Sequence, residues 1–263
     1  MVGLLKRIFR FSYYSVYGMG GKKIKINNED YTISAYVSRG VNSTIDEVPL
    51  KLLINLAKYR NADVLFDIGG NIGVIALMLA KKMKPASTIY SFEPAPVSFK
   101  YLKDTARVQK ENAKIIPVNY AVSNNNNKLY FTNDGNSCTN HISAENEPGT
   151  ITIDSITIDS FCQKNNVVPQ VIKIDVEGAE FWALEGMKET LRNNNCSVLV
   201  EIHQQYLLDN NISSDMFSSL IDSVGYKVFN EKGDEIESRS IFRNTCVILA
   251  KESLPKSIFQ VGH

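Results

Sequence analysis

The chain has 263 residues, 44% of them hydrophobic, and its 29 basic and 28 acidic side chains leave a formal charge of +1. That is enough apolar chain for one full core, while so even a balance gives no net field to steer a polyanion, which argues against a nucleic-acid partner. Cys138, Cys162, Cys196 and Cys246 stand far apart with no CxxC pair, which disfavours structural zinc and a disulfide framework and points to a reducing compartment, the cytoplasm.

The first stretch, MVGLLKRIFRFSYYSVYG, is interrupted by Lys6, Arg7 and Arg10. It falls short of the roughly 20 apolar residues that span a bilayer, and a signal peptide would place a longer apolar run after its charges. Two readings of residues 1–18 stand: a helix docked on the domain or mediating self-association into a homo-oligomer, and a basic amphipathic segment in peripheral contact with a membrane. Residues 1–45 are thus expected to form an appendage of helix and small strands, and residues 46–263 the main domain.

From Val64 short apolar runs rich in β-branched residues alternate with helical patterns. The expected strands are DVLFDIG (63–69), STIYSFEP (87–94), AKIIPVNYAVS (113–123), QVIKIDVEG (170–178) and CSVLVEIH (196–203); each is of strand length. Between them the spacing predicts helices over 72–82, 97–109 and 179–192. Such alternation means a mostly parallel sheet covered on both faces. A helix over 213–224 and two strand-like runs, GYKVFNEKGDEI and NTCVILAKE, then predict an antiparallel pair at the edge of a doubly wound α/β sheet. Residues 124–159 are poor in helix signals and read as an insertion of small strands and a mobile loop.

The turn FDIGGNIG, Phe66 to Gly73, follows the first parallel strand. A dinucleotide fingerprint starting at Gly69 would need glycines where Asn71 and Val74 stand, and no P-loop frame is present. Asp67 lies at the carboxyl end of the strand, where a pyrophosphate would be repelled and the cationic amine and sulfonium of S-adenosylmethionine would be welcome. Gly69 and Gly73 allow close backbone approach, Asn71 lies between them, and the following helix N-terminus suits the methionine carboxylate. Glu93 ends the next strand about 20 residues on, where an acid accepts ribose hydroxyls. After VNYAVS, Ala121 and Val122 would pack on adenine and Ser123 or Asn124 reach its amino edge.

With FDIGGNIG, SFEP and above all IKIDVEGAEFWALEG followed by EIH, the chain resembles the FkbM-type family of S-adenosylmethionine-dependent methyltransferases, in order from about Asp46 to His203. The resemblance implies a seven-stranded Rossmann-like sheet with its last strand antiparallel, and methyl transfer to oxygen, often a hydroxyl of a sugar, glycan or secondary metabolite. Gly70 stands where the family commonly has alanine, expected to be a harmless loss of a methyl, and the Asn124–Asn127 tract replaces the usual acid near adenine.

The acceptor hydroxyl must lose a proton, and the candidate takers sit at the ends of the fourth and fifth parallel strands. They are Asp175, Glu177 and Glu180 in IDVEGAE, and Glu201 and His203 in VEIH. His203 leads by intrinsic pKa, and Asp175 sits at both cofactor and catalytic rim. The favoured reading has no metal; in the alternative, Asp175 and Glu201 hold Mg²⁺. The acceptor is a small molecule or glycan read by the 124–159 insertion and the C-terminal segments, with Tyr130, Phe131 and Tyr206 as aromatics. Competing functions are an N-methyltransferase, a non-catalytic ligand-binding protein of the same fold, and an NAD oxidoreductase, which the absent dinucleotide fingerprint disfavours.

Overall fold

The computed structural model describes residues 21–35, 37–39, 41–132, 142–143 and 149–260. The expected helix or membrane-contacting segment at 1–18, Cys138 and most of the expected loop after Thr132 lie outside them.

A hairpin of β1 (Gly21–Ile26) and β2 (Glu29–Ser34) comes first. Its Ile26, Tyr31 and Ile33 are buried in the same apolar cluster as the following helices. Helix α1 (Glu47–Tyr59) begins where the Asp46 carboxylate accepts the Val48 N–H, and it buries Leu50, Leu53, Leu56 and Ala57 at helical spacing. It was not among the expected helices.

Strand β3 (Val64–Ile68), helix α2 (Val74–Lys82), strand β4 (Thr88–Phe92), helix α3 (Pro96–Val108) and strand β5 (Lys114–Val118) follow in strict alternation. The expected 113–123 strand is divided, because Ala121–Val122 leave the main sheet as β6. Strand β6 pairs in parallel with β9 (Thr150–Ile156), which joins β7 (Lys128–Thr132) and β8 (Ile142–Ser143) in a small sheet. The insertion thus contains small strands, as expected.

Helix α4 (Ile158–Asn165), capped by the Thr157 side chain at the Ser160 N–H, leads to β10 (Val171–Ile174). The single helix expected over 179–192 is two, α5 (Glu180–Glu185) and α6 (Lys188–Asn193). Then come β11 (Ser197–Glu201), α7 (Gln204–Asp209), α8 (Ser214–Val224), β12 (Lys227–Phe229), β13 (Glu235–Ile236) and β14 (Cys246–Ala250).

The main sheet has the order β13-β12-β14-β11-β10-β3-β4-β5. Strands β11, β10, β3, β4 and β5 are mutually parallel, and β14 runs antiparallel to both β11 and β12. The expected antiparallel pair is β12 and β14, at the β13 side of the sheet, and β14 is its inner member. It lies between β11 and β12 with all five residues buried, which is why Cys246-Val-Ile-Leu-Ala carries no polar side chain.

Alternate residues of the strands feed two cores. Leu65, Ile89, Val171 and Leu199 meet α1 and α2 on one face, while Phe66, Ile68, Ile172, Ile174, Val198 and Val200 meet the helices after β9 on the other. No helix among the described residues is long and apolar enough to cross a membrane.

Candidate functional site

Two crossovers leave the carboxyl ends of β3, β4, β10 and β11 side by side, the place where an open α/β sheet binds ligands. The turn after β3 is held by its own backbone: the Gly69 and Gly70 N–H groups both donate to the Phe92 carbonyl, at 3.0 and 2.8 Å. Gly69 (φ +83°) and Gly73 (φ +86°) occupy the left-handed region. At Gly69 a Cβ would also collide with the Asp175 carbonyl of the neighbouring strand end, so the turn requires glycine there. Helix α2 starts at Val74 with Gly73 as its N-cap and no side-chain cap, leaving N–H groups at the turn for an anion.

Gly70 has a specific partner. A Cβ there would collide with the Ser91 hydroxyl, and that hydroxyl donates to Asp67 Oδ2 at 2.7 Å. In this chain a serine hydroxyl from β4 occupies the space that an alanine methyl would take.

Asp67 is fully buried beneath the turn. Its Oδ1 lies 3.5 Å from the Lys173 ammonium, which also meets Asp175 Oδ2 at 3.0 Å and donates to the Gly69 carbonyl at 3.1 Å. Lys173 is itself 3% exposed. Burial alone would lower its pKa, but the carboxylates of Asp175, Asp67 and Glu201 outweigh it and hold the ammonium above the ordinary lysine range. The charge expected at Asp67 is thus answered from within the protein, and Lys173 ties the glycine turn to the end of β10.

Glu93 is buried at the end of β4, its Oε2 accepting the Asn71 N–H and its Oε1 the Ala95 N–H, both at 2.8 Å. Burial pushes its carboxyl up to about 7 against the pull of those two N–H groups. Asn71 thus serves through its backbone, in the left-handed region at φ +47°. Beside it a small cleft is lined by Gly69, Phe92, Tyr120, Ala121, Val122 and Phe131. Phe131, one of the aromatics noted in the insertion, lines this cleft. Ser123 is buried and donates its N–H to Ile156. Asn124 gives its amide to Glu185 Oε2 at 2.8 Å, and that bond with the nearby Lys188 holds the Glu185 carboxyl below the usual range.

The catalytic candidates converge from the ends of β10 and β11. His203 Nδ1 lies 2.7 Å from Oε1 of the fully buried Glu180, and Nε2 lies 3.6 Å from Glu177 Oε2 and 3.9 Å from Asp175 Oδ1. The bond to Glu180 and the acids around the ring push His203 up to about 9, so the imidazole titrates above neutrality rather than at it. Burial and the Asp175 charge push Glu201 up to about 7. Glu201 lines a second cavity with Asp46, Leu50, Leu53, Ile75 and Lys173. Of the expected cation pair, Asp175 is grouped with Glu177 and His203, and Glu201 is not.

Sequence reasoning missed Ser91, Tyr120 and the α1 residues over the second cavity. Only the last left a signal, the Asp46 cap ahead of leucines at helical spacing.

Residues 67–228 match the methyltransferase FkbM domain family. The hexuronic acid methyltransferase AglP of Haloferax volcanii is 30% identical over 65% of this chain and 72% of its own length. Methyltransferase 1 of Beauveria bassiana is 26% identical over 81% of this chain and 92% of its own. A crystal structure of the methyltransferase FkbM from Methylobacillus flagellatus overlaps 72% of this chain and 44% of its own, with 16% identity and a TM-score of 0.44. With residues 67–228 matching its model, the chain belongs to the FkbM methyltransferase family and is an S-adenosylmethionine-dependent methyltransferase.

Proposed function

We propose that the enzyme methylates a hydroxyl oxygen of a sugar, glycan or comparably hydroxylated small molecule, in the cytoplasm. The observation that carries this reading is the meeting of Asp175 and His203 at two adjacent strand ends, across Lys173 from the glycine turn, with Glu201 near enough to feel the Asp175 charge. The hexuronic acid named for the Haloferax volcanii relative supports the substrate class. The free thiols of Cys162, Cys196 and Cys246 support a reducing compartment.

The cradle fits the cofactor. Gly69 and Gly73 offer backbone without side-chain bulk at a helix N-terminus, the Asn71 N–H anchors Glu93, which keeps lone pairs for ribose hydroxyls, and Ala121 borders the apolar cleft, with Ser123 and Asn124 following it in the chain. S-adenosylmethionine, when bound, supplies an electrophilic methyl group. Asp67 acts through Lys173, which fixes the turn and Asp175 relative to each other. Asp175, Glu201 and His203 position the acceptor. Glu201, which opens onto the cavity under α1, receives the hydroxyl proton. Holding two reactants in line is worth up to about 7–11 kcal/mol of barrier, so positioning is the larger contribution. Residues 46–263 form the catalytic domain, and the 124–159 insertion shapes the acceptor site.

The test is transfer of labelled methyl from S-adenosylmethionine to a panel of uronic acids, neutral hexoses and amines, with products identified by mass spectrometry. Methyl ethers of the sugars are expected, and methylated amines alone would overturn the reading. Glu93→Ala should weaken S-adenosylmethionine binding about 10- to 100-fold by calorimetry, the loss of hydrogen bonds to a charged acceptor. NAD should not bind.

A further inference from the structure

We propose that Asp175, Glu177 and His203 Nε2 form a binding site for one divalent transition-metal ion, with open positions for oxygens of the acceptor. The inference rests on the proposed function only for what fills those open positions.

The three side chains each present a ligand atom, all within 4.8 Å of one another. The contacts from Nε2, 3.6 Å to Glu177 and 3.9 Å to Asp175, are too long for hydrogen bonds, which end near about 3.2 Å. They do suit an ion: with bonds of about 2.0–2.2 Å to nitrogen and carboxylate oxygen, neighbouring ligand atoms stand about 3–4 Å apart. The Asp175 carboxylate is divided to match, Oδ2 on Lys173 and Oδ1 toward the ring.

The ring is also held as a metal-bound imidazole is held. Nδ1 lies 2.7 Å from Oε1 of Glu180, and that oxygen accepts the Gly178 N–H at 3.0 Å. Glu180 is fully buried, and its Oε2 has no hydrogen-bond partner, so this carboxylate serves the ring and one backbone amide. A buried acid behind a histidine fixes the tautomer and aims the other nitrogen outward. Glu177 reaches the same point because the chain turns through the left-handed region at Glu177 (φ +49°) and Gly178 (φ +95°). A side chain at 178 would collide with Tyr206, so only glycine closes this turn.

One imidazole with two carboxylates suits a first-row divalent ion, for which Mn²⁺ is a convenient probe, and the absence of thiolate or thioether ligands disfavours Cu⁺. Such an ion would neutralise the two carboxylates that hold it, and so admit an acceptor that offers adjacent oxygens, whether two hydroxyls or a hydroxyl and a carboxylate.

The test uses the full chain freed of metal by chelation and titrated with Mn²⁺, free ion being read by electron paramagnetic resonance without cofactor or acceptor. One ion per chain is expected, with binding weakened about 10- to 100-fold in Glu180→Gln, the effect of losing an outer-shell partner. His203→Ala and Glu177→Gln should weaken it at least as much, while Glu189→Gln on distant α6 leaves it unchanged. Thermal unfolding of each variant checks that the chain is folded, and Glu177→Gln, at a half-buried position, keeps the test open if the fully buried Glu180→Gln is not folded. Absence of Mn²⁺ binding at millimolar concentration, or equal binding by all variants, overturns the site and leaves an imidazolium among acids. Sugar methylation undiminished after chelation, with no ion bound, would sink this inference and leave the proposed function standing. Ion binding with no methylated hydroxyl would do the reverse.

Discussion

Glu93 carries a carboxyl that burial pushes up to about 7, with the Asp67 charge adding to the rise and Lys173 opposing it. Because ribose hydroxyls are accepted best by the ionised form, S-adenosylmethionine affinity should fall as the pH drops from about 8 to about 6, by roughly tenfold for a group titrating near 7. Calorimetry across that range on wild type and Glu93→Gln checks it, and the variant's own, weaker affinity should be flat. For the ligand-free protein the sign is opposite. The folded state prefers protonated Glu93, so its contribution to stability is complete below the unfolded carboxyl value and is lost as the pH rises through about 7. The position of Glu93 was legible in the sequence, since a single acid ends an apolar run before Pro94. Its two N–H partners were not, because Asn71 and Ala95 reach it only after the turn has folded.

At the scale of elements, the break between α5 and α6 shows how far periodicity carries. The apolar stripe from Phe181 to Leu191 continues through it, hence the expectation of one helix. The chain breaks because Gly186 packs directly on the Ser123 backbone, where a Cβ would collide. The new N-terminus is then capped from outside: Asp159, in α4, accepts the Thr190 N–H at 2.7 Å and its hydroxyl at 2.6 Å, and the Glu189 N–H at 3.1 Å. A cap this far away in sequence leaves no local signal. Asp159→Ala should cost about 1–2 kcal/mol, the upper part of the range for a helix cap, read as a shift in the urea midpoint without a change in m-value. Asp159→Asn should cost less, since it still accepts one N–H. Helix α1, by contrast, is legible in its own stretch of chain, with the Asp46 cap ahead of Leu50, Leu53 and Leu56 at helical spacing.

Across the whole molecule, the sheet is closed by its final strand. β14 pairs with both β11 and β12, so the C-terminal segment joins two parts of the sheet that otherwise share no strand pairing. A chain ending at Asn244 should leave the buried β11 with an unpaired edge and be recovered as aggregate; a soluble product with native circular dichroism would contradict this placement. The sequence by itself determined the alternation of strand and helix, the parallel sheet, the glycine turn and the acids at the strand ends. Each of these depends on local period, turn chemistry or adjacency along the chain. Only the tertiary structure decided that β14 lies between β11 and β12, that Lys173 answers Asp67, that Ser91 fills the space beside Gly70, and that His203 faces Asp175 and Glu177. Those are meetings between residues tens of positions apart, fixed by strand order and register, and no single stretch of sequence records them.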